Sequence, residues 1–202
     1  MAHLLICGAL ACALIASTAP AQAPASTTPP AHASLSAAAQ IAAAVQPLPK
    51  EMRDGATVLG YTESGLVSLR AGTNDMICLG PDPKRASFHT ACYQNGMEPF
   101  MKRGRELRAS GVTGDQVDSV RFREVRQKKL AMPNRAMSLY SLTGGTVDPT
   151  SGEVKGARPL FVVYVPFATM QSTGLSTQPI KDGPWLMFPG TPKAHIMFQP
   201  SM

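Results

Sequence analysis

A chain of 202 residues with 44% apolar and 16% charged residues has room for one ordinary domain plus a tail, and enough apolar material for a core. The net charge of +6 is local: ten cations between Lys102 and Arg135 face only four acids, so residues 102–135 carry the whole excess. The stretch lacks the regularly interleaved aromatics that single-strand binding needs, which argues against nucleic acid and leaves solvated helix faces or contact with an anionic surface.

Residues 1–21 contain no Lys, Arg, Asp or Glu, and Leu4 to Ala16 is almost unbroken apolar. A run of that length suits a secretory signal and is too short to span a bilayer. Ala19-Pro20-Ala21 supplies a small-x-small cleavage site, with Gln22 as the new N-terminus. The amino end is off-pattern, because only His3 and the α-amino group are positive there. Lipid attachment at Cys12 and a buried N-terminal helix are the rival readings. No other segment approaches 18 apolar residues, so no span is expected in the mature chain.

Residues 22–48 read as an Ala/Pro/Ser/Thr-rich tether, with Leu35 to Val45 a short Ala-rich helix ended by Pro47 and Pro49. The folded domain is expected over 49–202. Ala56 to Tyr61 and Gly65 to Arg70 flank a short polar turn and predict a β-hairpin. Met76 to Leu79 and Phe88 to Tyr93 are two further strands, separated by the breaker Gly80-Pro81-Asp82-Pro83. Cys78 and Cys92 are the two cysteines beyond the signal, and in an oxidising compartment they read as a disulfide between these neighbours. The rival is a metal site, since His89 precedes Cys92 by three residues, but zinc wants four ligands and no Cys-x-x-Cys accompanies them.

The middle is helical. Glu98-Pro99 starts a helix that stops at Gly111. Thr113 followed by Gln116 resembles a capping box for a second helix, running from Gly114 to Leu130 and stopping before Pro133. Its Val117, Val120 and Val125 would face the core, with Arg123, Arg126 and Lys129 in water. Strands return over Ala136 to Leu142, Leu160 to Val165, Trp185 to Phe188 and Ala194 to Phe198. Leu160 to Val165 shows no alternation and predicts a central strand buried on both faces. The loops 143–157 and 169–184 are long for a compact domain and mark the place to look for a binding surface. Strands, two helices and strands again predict a single α+β domain: a mainly antiparallel sheet with two consecutive helices packed on one face.

Catalytic motifs are missing. There is no Gly-x-Ser-x-Gly, no phosphate loop, no dinucleotide fingerprint and no His-Glu-x-x-His, and no cofactor is implied. A catalytic base would have to be His89 or His195. His195 and Met197 share a strand face near Trp185, the only tryptophan, and with Met187 they form a set that copper could use. The alternative is a gap-filling methionine beside a hydrogen-bonded, partly buried histidine, and no metal is assigned. Arg158, before the apolar strand, would hold an anionic ligand or pair with Asp148 or Glu153. His195, Trp185, Arg158 and His89 are therefore the candidate ligand-binding residues.

Gly55 to Tyr61, Met76 to Leu79, Ala91 to Tyr93, Glu98 to Met101, Met137 to Gly144, Pro166 to Thr169, Gly183 to Met187 and Ala194 to Met197 together resemble a family of uncharacterised exported bacterial proteins. The resemblance covers about residues 50–198. It implies export and one shared domain, and it transfers no catalytic residue. The expectation is a periplasmic or secreted, non-enzymatic module that binds a small ligand or an envelope component. A hydrolase using His195 or His89, and an envelope-attached structural protein with its basic helices on anionic surfaces, are the alternatives.

Overall fold

The computed structural model describes His32 and residues 35–199. The expected signal segment and residues 22–31, 33 and 34 of the expected tether lie outside the described residues. Two short helices come first, α1 (Ala37–Ala44) and α2 (Lys50–Arg53), then four strands, β1 (Thr57–Thr62), β2 (Gly65–Arg70), β3 (Met76–Leu79) and β4 (His89–Gln94). The long helices α3 (Glu98–Ala109) and α4 (Asp115–Arg126) follow. The rest comprises β5 (Met137–Thr143), β6 (Thr146–Val147), β7 (Val154–Lys155), β8 (Arg158–Tyr164), α5 (Met170–Thr173), β9 (Trp185–Met187) and β10 (His195–Phe198). Eight strands form one sheet in the order β2-β1-β3-β4-β5-β8-β10-β9, and β6 and β7 make a small hairpin of their own. The expected α+β architecture holds. Only β1 and β3 pair in parallel.

That parallel pair arises because residues 71–75 carry the chain from β2 past the start of β1 to β3. The arch lies hard against its neighbours: Thr73 and Asn74 donate their N–H groups to the Gly55 carbonyl at 2.8 and 2.9 Å. A Cβ on Gly72 would sit 2.2 Å from the Thr57 nitrogen, so a side chain there would block the crossing. The Arg70 guanidinium closes the same corner by donating to the carbonyls of Ala56 and Arg53.

Each face of the sheet has its own helical cover. Tyr93, Met137, Val162 and Tyr164 point to one side and pack with Phe100 and Met97, joined by Phe122 and Val125 of α4. This is the layer of two consecutive helices that the sequence predicts. Val58, Met76, Cys78 and Cys92 point to the other side and bury Ala44, Val45 and Leu48. Leu35, Ala39 and Ala43 extend that second layer onto Phe88 and Val147. The packed structure therefore reaches back to Leu35, which corrects the expected start near Pro49: an Ala-rich helix with little side-chain bulk lies close to a sheet. The Gln40 side chain fixes its position. Its Oε1 accepts from the Tyr61 N–H at 2.8 Å and its Nε2 donates to the Tyr61 carbonyl at 2.9 Å, continuing the hydrogen-bond ladder beyond the end of β3.

Two other expectations change. No side chain caps α4; its cap residue is Gly114, in a positive-φ conformation, and the helix ends at Arg126 rather than Leu130. Strand β8 is interior to the sheet but is not buried on both faces. Val162 and Tyr164 are covered, whereas Phe161, pointing the other way, is 38% exposed.

Cys78 and Cys92 stand directly opposite each other in β3 and β4 and form a disulfide, with Cα atoms 4.0 Å apart. Reduction should lower stability by about 3 kcal/mol on the loop-entropy model, read as a shift in the urea midpoint with and without reductant. Gln40→Ala strips partners from two strand groups and should cost about 1–3 kcal/mol in the same assay, whereas Gln178→Ala in the exposed loop should cost little.

Candidate functional site

The four residues singled out from sequence fall at opposite ends of the sheet. His89, Thr143 and Arg158 stand side by side across β4, β5 and β8. Met137, Tyr164 and His195 form the corresponding row at the far end. The pairs His89/Arg158 and His195/Trp185 thus do not converge on a single site.

His89 is half-buried, and its Nδ1 lies 2.9 Å from Thr143 Oγ1. Burial, reinforced by the positive charge of Arg85, pushes its pKa down to about 4, so the ring is neutral at neutral pH. Arg158 is exposed and forms no ion pair among the described residues. The acids proposed to pair with it are engaged elsewhere. Asp148 accepts from Thr150 N, Ser151 N and Ser151 Oγ in its own turn, and Glu153 pairs with Lys155 at 3.2 Å. His89 and Cys92 are three apart on one strand and so point to opposite faces. The disulfide takes the thiol, and the metal pairing proposed for these two residues is lost.

His195 is buried, with its ring between those of Tyr164 and Phe188 at centroid distances of 5.1 and 5.7 Å. Its Nδ1 is 2.7 Å from the Lys193 carbonyl. A carbonyl only accepts, so Nδ1 carries the proton and Nε2 holds the lone pair in the neutral ring. Burial lowers its pKa, against the opposing hydrogen bond to Lys193. Among the described residues neither candidate histidine has a carboxylate as its hydrogen-bond partner, the orienting group that a catalytic base uses. Trp185 is buried across from Met197. Met187 is the cross-strand partner of His195, while Met197 packs into the cluster beneath α3 and α4. Among the described residues no three His, Cys, Asp or Glu side chains are grouped to hold a metal.

Beside His195 lies a polar tie that sequence reasoning missed. Arg121, counted there among the basic-patch cations, is buried. Its guanidinium lies over the Phe100 ring at 3.9 Å, donates to the Phe100 carbonyl at 3.1 Å and pairs with Asp118. Asp118 also accepts from Lys193 Nζ at 2.7 Å, which joins α4 to the turn before β10. Burial pushes the Asp118 carboxyl up, but the hydrogen bonds from Lys193 and Arg121 outweigh it and hold the group below its usual range. The available signal was the spacing of Val117 and Arg121, which puts both on one helix face.

The open surface is on the other side of the sheet. Tyr140, Phe161 and Phe198 are register partners across β5, β8 and β10. They form a cross-strand aromatic row in which Tyr140 and Phe161 meet edge-on at 5.5 Å. Tyr140 touches the α1 layer. Beyond it this cover ends, leaving Phe161 and Phe198 each 38% exposed. Ser138, Val163, Gln199 and the loop Asp182–Pro184 complete a groove of about 410 Å³. Its rim comes from one of the two long loops.

Comparison with family models, with curated proteins and with solved structures finds no match. The site therefore has to be judged from its own geometry.

The lowered histidines give a pH prediction. The unfolded chain takes up protons near pH 6.5, whereas folded His89 resists until about 4. Its contribution is complete above pH 6.5 and is lost as the pH falls towards 4. The urea midpoint should drop between about pH 6.5 and 4, and His89→Gln, which keeps a partner for Thr143, should flatten part of that drop. An unchanged slope in the variant would assign the loss to other groups.

Proposed function

We propose that this chain is an exported, non-enzymatic binding module that takes a small apolar ligand onto the aromatic row of Tyr140, Phe161 and Phe198. The observation that carries the reading is that row, exposed on a sheet face from which the helical cover has ended. Aromatic side chains in contact with water lose that exposure when an apolar surface covers them, at roughly 25 cal/mol per Å². A groove of about 410 Å³ falls in the range of small-molecule sites. Ser138, Asp182 and Gln199 at its margin supply a few polar groups to orient an otherwise apolar ligand.

Export is supported by the charge-free apolar N-terminal segment and by the disulfide. A periplasmic or secreted product fits a disulfide that persists in an oxidising compartment. The hydrolase alternative has one supporting distance, His89 Nδ1 to Thr143 Oγ1; a base with a pKa near 4 is poorly matched to neutral-pH proton transfer.

A fluorescent fatty-acid probe should bind saturably to the purified protein. Phe161→Asp should weaken it by at least about tenfold, the equivalent of about 1.4 kcal/mol, with melting temperature little changed because Phe161 is already partly in water. Equal binding by the variant would remove the groove from the argument. Mass spectrometry of protein recovered from the envelope should show Gln22 as the first residue and the loss of two hydrogens to the disulfide.

A further inference from the structure

A second cavity lies on the helical side of the sheet, at the opposite end from β9 and β10. It is the space between the β1–β2 turn, the loop after β3 and the C-terminal part of α3, about 610 Å³, with Tyr61, Leu66, Lys84, Arg105 and Arg108 among its lining residues. Cations gather here beyond what the fold uses. Arg105 is satisfied: it donates to Glu98 at 2.6 Å and to the Tyr93 hydroxyl at 2.8 Å. Arg108 is not. This exposed side chain makes one hydrogen bond among the described residues, from Nη1 to the Gly104 carbonyl of its own helix at 3.1 Å, which leaves most of the five donors of its guanidinium open to a ligand or water. No carboxylate pairs with Arg108, Lys84 or Arg85 among the described residues.

Like charges crowd the same place. A Cβ built on Gly104 would lie 2.9 Å from Arg121 Nη1 and 3.3 Å from Arg108 Nη1, so two guanidinium groups approach one point on α3. Burial pulls the Arg108 pKa down, and Arg121, Arg85 and Arg105 push in the same direction against Asp118. The Tyr61 hydroxyl faces this wall: burial and Asp82 raise its pKa, while Arg105 and Arg85 oppose them. Two acids, Glu63 and Asp82, also line the cavity. Asp82 is directed into its own turn, accepting from the Lys84 N–H at 2.9 Å, and Glu63 sits at the exposed tip of the β1–β2 turn.

We propose that this cleft is an anion site, and that it takes a phosphate-type oxyanion on Arg108 and Lys84 with the rest of the ligand against Tyr61 and Leu66. A planar guanidinium with free donors matches two oxygens of such a group at once. The anion would also relieve the repulsion among Arg85, Arg105, Arg108 and Arg121. This site and the aromatic groove occupy opposite faces of the sheet, so either can fail without the other.

Inorganic phosphate is the first probe, titrated into the full chain at low ionic strength and followed by amide NMR. Saturable shifts centred on Tyr61, Lys84, Arg105 and Arg108 are expected. R108Q should weaken binding about tenfold or more, R108K should keep part of it as a point charge, and K128Q, in the exposed turn after α4, should bind like wild type. Should R108Q fail to fold, K84Q in the exposed loop reads the same site. Phosphatidylglycerol vesicles form the second arm. Arg108-dependent recruitment to them would identify a lipid headgroup as the source of the phosphate, and phosphate binding without recruitment a soluble ligand. Shifts scattered over all the cations, equal affinity in R108Q, or no saturation with either probe would overturn the proposal.

Discussion

Burial of the central strands β3 and β4 from both sides is the constraint on which the rest of the molecule depends. Tyr93 is sealed beneath α3, while Cys78, Cys92 and Thr90 are sealed on the α1 side, where the Thr90 hydroxyl donates to the Leu79 carbonyl at 2.6 Å and lies 3.2 Å from the Ala44 carbonyl. The disulfide crosses the same pair. Away from this centre the two covers diverge. On one side α3 and α4 reach across to Tyr164. On the other, α1 and the residues after it reach only as far as Tyr140. A helix of 8 residues is about 12 Å long, too short to span an eight-stranded sheet, and the aromatic groove is the part of the face it leaves open.

Charge follows the same division. The basic segment is not a uniform solvated patch. Arg103 is held by Glu124 at 2.7 Å, Arg105 by Glu98, and Arg121 by Asp118 in the interior. These pairs join α3 to α4, tie α3 back onto Tyr93 and, through Lys193, fasten the helical layer to the last strands. Among the described residues, cations without a carboxylate partner include Lys84, Arg85 and Arg108, on the loop after β3 and at the end of α3, and Arg123, Arg126, Lys128 and Lys129, at the end of α4 and in the turn beyond it. Lys84 and Arg108 border the second cavity.

Both functional readings describe binding rather than covalent chemistry. The two candidate histidines carry lowered pKa values, and their Nδ1 partners are a backbone carbonyl and a threonine hydroxyl. Each arrangement fixes a ring within a sheet without making it a strong base. The apolar groove and the cationic cleft, in contrast, present groups whose interactions the protein itself leaves incomplete: aromatic faces in water and guanidinium donors without acceptors.

Much of the architecture was legible in the chain. Alternating and apolar runs located all eight strands of the large sheet, Pro99 and Gly111 bracketed α3, and Cys78 and Cys92 predicted their own bridge. These are local signals, set by side-chain periodicity and by backbone restrictions of Pro and Gly. The positions of the candidate residues were not local. Whether His89 and His195 meet depends on strand order, and the sheet sets them at opposite ends. Whether Arg121 is solvated depends on Phe100 and Asp118 closing around it, and whether Phe161 is buried depends on how far α1 extends. Sequence by itself determined the eight strands of the large sheet, α3 and the covalent cross-link, because each is encoded within a few neighbouring residues. Tertiary structure alone decided which surfaces stay open, because that depends on how much of the sheet the distant helices cover.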